Sequence, residues 1–253
     1  MTWYTEFEFD LPSALLKQLV AVLNDLETAP LSNAALRVVP EEQGVYQLFL
    51  DARLVYVGKT DAQAGLHSRL ARHAKKILYR HGLDPMRVSF KAVRIFVFTA
   101  MDLEADLIRH YGGVKAIGWN GSGFGSNDPG RKRDTTNVKA SNYDAVFPID
   151  IDREMAFAIE DGETASSALS RMKEALPYTL RYEMKADSSR DSHPDMEATM
   201  LSALGGPMSA RAAIKHIVSA LPAKWQATAL PGYIILYKEA PRDYPQADVV
   251  AVS

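Results

Sequence analysis

Six residues in the first half of the chain are of types that together could hydrolyse a phosphodiester: Tyr46, Tyr56, Arg69, His73, Glu104 and Asn120. That reaction needs an activated water, a stabiliser for the extra negative charge at phosphorus, and help for the leaving alkoxide. Glu104 is a hard oxygen ligand suited to Mg²⁺, which keeps several waters and so needs few protein carboxylates. A lone carboxylate argues for a single metal ion, with Mn²⁺ as the alternative to Mg²⁺. Tyr46 is expected to act as general base or to orient the water, with Tyr56 beside it. A tyrosine with pKa ~10 is a poor base at neutral pH unless nearby cations favour the phenolate. Lys59 and Arg69 are the candidates for that field. Arg69 can grip a phosphate through two parallel hydrogen bonds. His73, one helical turn further on, shares its face and can relay a proton or bind phosphate. Asn120 would tie a late loop to the site by hydrogen bonds.

Each of these has a plainer reading. A strand tyrosine is ordinarily half-buried in a sheet, and a helix arginine ordinarily faces solvent. A glutamate in a first helical turn complements the helix dipole. A histidine such as His73 can pack or cap, and an asparagine can cap a turn. The functional reading therefore rests on the set and its order, not on any one member.

The elements that must position the set follow from periodicity. Phe7-Glu8-Phe9-Asp10 alternates like a short strand, and residues 12–27 repeat Leu and Val at helical spacing. Val45–Leu50 and Leu54–Val57 read as two strands joined by a hairpin turn at Asp51-Ala52-Arg53. Residues 66–80 read as a helix, Val88–Phe98 as a third strand and Met101–Tyr111 as another helix. Residues 121–139 have no periodicity and carry Arg131-Lys132-Arg133 in a row. A loop of that length in a compact domain is usually functional or disordered. Further on, 165–175 and 209–220 read as helices, each stopped by Leu-Pro, and 179–183 and 233–237 read as strands. The recurring helix–Ala-Leu-Pro–strand pattern hints at duplication, although convergence on a common helix stop is the better explanation. Residues 185–194 read as a polar linker or surface loop.

Charge is segregated. The 253 residues carry a net charge of −2, but residues 1–50 carry −5, residues 51–139 carry +8 and residues 140–253 carry −5. A local positive field attracts polyanions whatever the whole-chain balance. Within the acidic last segment, Arg211, Lys215 and His216 form a local cationic patch able to touch a nucleic-acid backbone.

Several classes are excluded. There is no cysteine, so no disulfide scaffold, thiol nucleophile or zinc knuckle. His67, His73 and His110 lack metal-ligand spacing. Gly121-Ser122-Gly123-Phe124-Gly125 lacks the Lys-Ser/Thr ending of a P-loop. No apolar run approaches the roughly 18–20 residues that span a bilayer, and the N-terminus does not read as a signal peptide. A soluble cytoplasmic protein, with no membrane partner, is expected.

The ordered set Gly44-Val45-Tyr46, Tyr56-Val57-Gly58, Arg69 with His73, Glu104 and Asn120 resembles the GIY-YIG nuclease superfamily. Leu66-His67-Ser68-Arg69-Leu70-Ala71-Arg72-His73 is similar to a segment of its type II restriction endonucleases. So are Trp119-Asn120, Gly123-Phe124-Gly125 and Pro129-Gly130, the branch that cuts CCGCGG being the nearest in pattern. The likeness covers roughly residues 12–145, with a few more residues between Glu104 and Asn120 than that branch has.

The resemblance implies an α/β fold: a small, mainly antiparallel GIY-YIG sheet flanked by helices, with an additional C-terminal α/β unit. It implies an N-terminal strand and helix extension over 1–40, a nuclease domain over 41–145 and a C-terminal α/β domain of unassigned role over 146–253. The implied activity is Mg²⁺-dependent hydrolysis of double-stranded DNA at a specific sequence. Tyr46, Tyr56, Arg69, His73, Glu104 and Asn120 would form the catalytic set, with Glu104 on the metal. Lys59, Arg72 and Lys76 are expected to contact DNA. Arg131, Lys132 and Arg133 read either as a solvated charge run or, favoured beside the site on a basic domain, as an arm that folds on DNA and contacts phosphates or bases. A palindromic target implies a homodimer, and a restriction enzyme implies a cognate DNA methyltransferase in the same cell. A repair, mobile-element or defence nuclease acting on branched or modified DNA, an inactive DNA-binding protein, and an RNA target are the alternatives.

Overall fold

A computed structural model describes residues 3–6, 10–60, 64–96, 103–125, 128, 130–186, 188 and 190–253. The fold is mixed α/β with largely antiparallel sheets, in agreement with the expected class. The expected strand at 7–10 lies almost entirely outside the described residues. So do the last residues of the third expected strand, at 97–98, and the start of the following helix, at 101–102.

The chain divides into two compact units, Met1–Ala74 with Asp84–Ser122, and Lys75–Leu83 with Gly123–Ser253. This division differs from the expected boundary after residue 145. The long loop at 123–139 and the short segment 75–83 group with the C-terminal unit, and the N-terminal helix groups with the strands that follow it.

In the first unit the elements are α1 (Leu11–Asp25), β1 (Ala29–Pro30), α2 (Asn33–Leu36), β2 (Gly44–Leu50), β3 (Arg53–Lys59), the first part of α3 (Leu66–Leu78), β4 (Val88–Arg94) and α4 (Leu103–His110). Asp10 caps α1, its carboxylate accepting the Ser13 N–H at 3.1 Å, and Pro12 occupies the first turn. The sheet runs β1-β4-β2-β3, every pair antiparallel. The β2–β3 turn is tighter than the three residues expected, because only Asp51 and Ala52 stand outside the strands, both with positive φ. Val45 and Val57 pack with Leu19, Leu23, Leu103, Leu107 and Ile117, so α1 and α4 share one core with the sheet.

In the second unit the elements are α5 (Tyr143–Val146), β5 (Glu154–Met155), α6 (Ala165–Ala175), β6 (Thr179–Tyr182), α7 (Pro194–Ala198), β7 (Met208–Ser209), α8 (Ala210–Ala220), β8 (Trp225–Ala229), β9 (Tyr233–Lys238) and β10 (Asp248–Val252). The sheet runs β10-β8-β9-β6, with β6 parallel to β9 and the other pairs antiparallel. Its core is built on α6 and α8. The repeated pattern read from sequence has a matching physical form. Thr164 and Ser209 cap the two helices through their hydroxyls, and Leu176 and Leu221 end them in extended conformation before proline. Ala165, Ala168, Leu169 and Met172 are buried in α6 as Ala210, Ala213, Ile214 and Ile217 are in α8. The strands that follow diverge, however, since β6 runs parallel to β9 and β8 antiparallel to it. The expected linker at 185–194 is tied down at Met184↔Ser192, and α7 begins where it ends.

Candidate active site

The register of β2 against β3 decides where the two tyrosines meet. Tyr46 stands opposite Gly58, and Leu48 opposite Tyr56. Both tyrosines therefore project from the same face, as diagonal neighbours. Their ring centroids are 6.0 Å apart. α3 sets His73 against both, at 5.6 Å from each ring centroid. The Tyr46 hydroxyl and His73 Nε2 share a 2.8 Å hydrogen bond. Tyr46 is 1% exposed and His73 5%.

This packing is possible because position 58 has no side chain. A Cβ there would lie 2.5 Å from Cζ and the hydroxyl of Tyr46 and 2.8 Å from the Tyr56 ring. Glycine inside a strand often marks such a close approach. Gly44 opens β2 for a related reason, since a Cβ there would fall 2.2 Å from the Val93 carbonyl oxygen. Thr60 ties the far ends of β2 and β3 together. Its hydroxyl oxygen accepts the Gly44 N–H and its own N–H donates to the Gly44 carbonyl, both at 2.8 Å. Thr60 drew no notice in the sequence; Gly58 was named as the last residue of Tyr56-Val57-Gly58, one residue past the strand expected there, and its steric role emerges only with β3 running on to Lys59.

Burial pushes the Tyr46 hydroxyl above its ordinary pKa, and the neighbouring Tyr56 adds to the effect; the Arg69 charge opposes it without prevailing. Tyr56 is also raised, first by burial and then by the Glu104 carboxylate, against Arg69 and Arg72. The expectation that cations would favour a phenolate is therefore corrected: desolvation of the charged form outweighs the cationic field. Tyr46 is a neutral phenol hydrogen-bonded to an imidazole. The same couplings place Glu104, in the first turn of α4, and Arg69 within electrostatic reach of both tyrosines. Arg69 buries its Nε–H with no hydrogen-bond acceptor among the described residues.

Asn120 lies at the free edge of β3, between the two site strand positions. Its Oδ1 accepts the Val57 N–H at 2.8 Å and its Nδ2 donates to the Val57 carbonyl at 2.9 Å. The Trp119 N–H donates to the Val55 carbonyl at 2.8 Å. Together they satisfy edge groups that an additional strand would otherwise pair. Asn120 thus bonds the edge backbone of β3 at Val57 rather than a site side chain.

The DNA-contact candidates divide between the units. Lys59 is half-buried at the end of β3, and Arg72 is exposed on α3. Lys76 belongs to the second unit. Its ammonium donates to the Phe124 carbonyl at 2.6 Å and lies over the Phe124 and Tyr143 rings. Arg131 pairs with Glu183 at 2.9 Å and stacks on Tyr237. Both cations thus have partners within the protein, Lys76 part-buried and Arg131 still exposed. Lys132 and Arg133 are exposed. In the acidic segment, Arg211 is held by Asp152 and the His216 ring meets the Ser202 carbonyl, so that patch is partly neutralised.

Among the described residues no group of three or more His, Asp or Glu side chains could hold a metal ion, and no helix is long and apolar enough to cross a membrane. The tyrosine–histidine cluster offers one carboxylate, Glu104. That fits a Mg²⁺ ion, which keeps most of its waters and takes one or two protein carboxylates beside substrate phosphate. It does not fit a cation that demands a full protein cage. No protein-family model and no curated protein matches the chain.

Proposed function

We propose that the chain is a Mg²⁺-dependent endonuclease of the GIY-YIG kind that hydrolyses double-stranded DNA. The observation that carries this reading is the Tyr46–His73 hydrogen bond, packed over Gly58 beside the buried Nε–H of Arg69. A buried phenol hydrogen-bonded to an imidazole has little use in a sheet that needs only packing. It has a clear use in moving a proton.

Arg69 donates to the non-bridging oxygens of the scissile phosphate and stabilises the charge that grows there. The attacking water gives its proton to the Tyr46 oxygen as the Tyr46 proton passes to His73 Nε2. The phenol stays neutral throughout and His73 ends as imidazolium. This relay suits a tyrosine whose pKa is raised, because no phenolate has to form. Tyr56 fixes the orientation of both partners, and Glu104 would hold the metal. Bound there, Mg²⁺ would supply positive charge for the pentacoordinate phosphorus and the leaving alkoxide. Asn120 keeps β3 straight at Val57, between Tyr56 and Gly58. A restriction enzyme acting as a homodimer on a palindrome, beside a cognate methyltransferase, is the specific form proposed.

Incubating unmethylated plasmid and Mg²⁺ with the wild type and with Glu104→Ala tests this. Discrete fragments from the wild type alone are expected, and their ends give the recognition sequence. Equal cutting by both proteins overturns the assignment of Glu104. Binding without cutting moves the reading to branched or modified DNA, or to a protein that only binds.

A further inference from the structure

We propose that the turn at Arg131–Arg133 is a pre-ordered contact for the DNA sugar–phosphate backbone, with Lys132 and Arg133 as its contacting cations and Arg131 as the residue that positions them. The proposal rests on the nuclease reading above. It replaces an arm that folds on DNA with one already folded.

The turn is built from both sides. Gly130 enters it at φ 74°, and its N–H donates to the Asp128 carboxylate at 2.9 Å. A 3-10 turn follows, closed by Arg133 N–H to the Gly130 carbonyl and Asp134 N–H to the Arg131 carbonyl. Asp134, 1% exposed, is the anchor. It accepts from the Tyr237 hydroxyl at 3.0 Å and from the Arg181 guanidinium, which also meets Asp128 at 3.1 Å. Past the turn, Val138 N–H donates to the Gln246 side chain at 2.8 Å. Arg131 pairs with Glu183 and lies 4.1 Å from the Tyr237 ring centroid. Three neighbouring cations therefore have two fates. Arg131, though exposed, is held by Glu183 and Tyr237. Lys132 and Arg133 are exposed and, among the described residues, make no ion pair. They are left so although the segment 140–253 carries a net charge of −5, with carboxylates to spare. Two cations exposed on a turn closed by its own hydrogen bonds suit a regular polyanion, because a contact ordered in advance loses little freedom on binding.

The test is duplex binding without divalent metal, on two duplexes of unrelated sequence, across a series of KCl concentrations. The proteins are wild type, the double variant Lys132→Ala/Arg133→Ala, and Glu183→Gln. The double variant should flatten the slope of log affinity against log salt by about 1.8, equally on both duplexes, with an unchanged melting midpoint. Glu183→Gln removes a negative charge, which by charge alone would tighten binding; a positioning role for Arg131 predicts weaker binding instead. An unchanged slope in the double variant, with the wild type binding and cutting, overturns this proposal and leaves the nuclease reading intact. A loss confined to one duplex overturns the backbone assignment in favour of base reading. Failure of the wild type to bind any duplex overturns the nuclease reading itself.

Discussion

Tyr46 and Gly58 stand opposite each other across β2 and β3, and the phenol fills the space that a side chain at position 58 would need. Gly58→Ala should therefore act on the tyrosine rather than on the strand. An added Cβ 2.5 Å from the hydroxyl has to push the ring off His73. Overpacking of this kind costs about 1–3 kcal/mol. The expected result is a folded, less stable protein whose cleavage falls far more than its stability. Denaturation and plasmid cutting on the same preparation check this, and full activity would refute the placement.

Tyr46→Phe removes the 2.8 Å bond to His73 and keeps the ring. Leaving a buried imidazole nitrogen without its partner costs about 1–3 kcal/mol. Losing the relay should slow cleavage by roughly 10²–10⁴-fold. Single-turnover kinetics on a saturated duplex gives the chemical step directly. A rate within a few-fold of wild type would leave Tyr46 as packing alone.

The raised pKa of Tyr46 has a consequence for stability at alkaline pH. A phenol whose folded pKa lies above its unfolded value of ~10 binds its proton more tightly in the native state. That contribution is fully present below pH ~10 and is lost as pH rises through the folded value. Tyr46→Phe should remove it, so wild type and variant converge in stability above pH ~10, by up to about 1.4 kcal/mol per pH unit. Chemical denaturation at a series of alkaline pH values gives this difference. Parallel curves would mean that Tyr46 titrates normally.

Asn120→Ala strips two hydrogen bonds from Val57 at the edge of β3. A loss of about 1–3 kcal/mol is expected, with faster amide exchange at Val57. Asn120→Asp keeps the acceptor and loses the donor, and should recover only part of the loss. Because Asn120 acts through the strand, DNA binding should survive in both variants while cleavage drops. Wild-type exchange at Val57 in Asn120→Ala would rule out the clamp.

Much of the first unit was legible locally. The alternation of β2 and β3 and the helical spacing of α1 and α3 are properties of short windows, set by how apolar side chains must face a core. Both Leu-Pro stops were legible for the same reason, since proline constrains the residue before it. Five strands, the two-residue β1, β5 and β7 together with β8 and β10, escaped the reading. β8 buries Gln226 and Thr228, and a polar strand interior reads as loop until its partners are known. Gln226 is satisfied by both backbone groups of Arg242, a pairing that no local pattern encodes.

By itself the sequence determined the longer helices, the strands β2, β3, β4, β6 and β9, and the six candidate site residues, because residue type and spacing are local. The tertiary structure alone decided how those residues are poised. Whether Tyr46 could be a phenolate depended on burial against the Arg69 charge, and burial prevailed. Which of three adjacent cations is committed depended on Glu183, 52 residues away from Arg131. Solvation and long-range pairing set the chemical state of a side chain, and both exist only once the chain has folded.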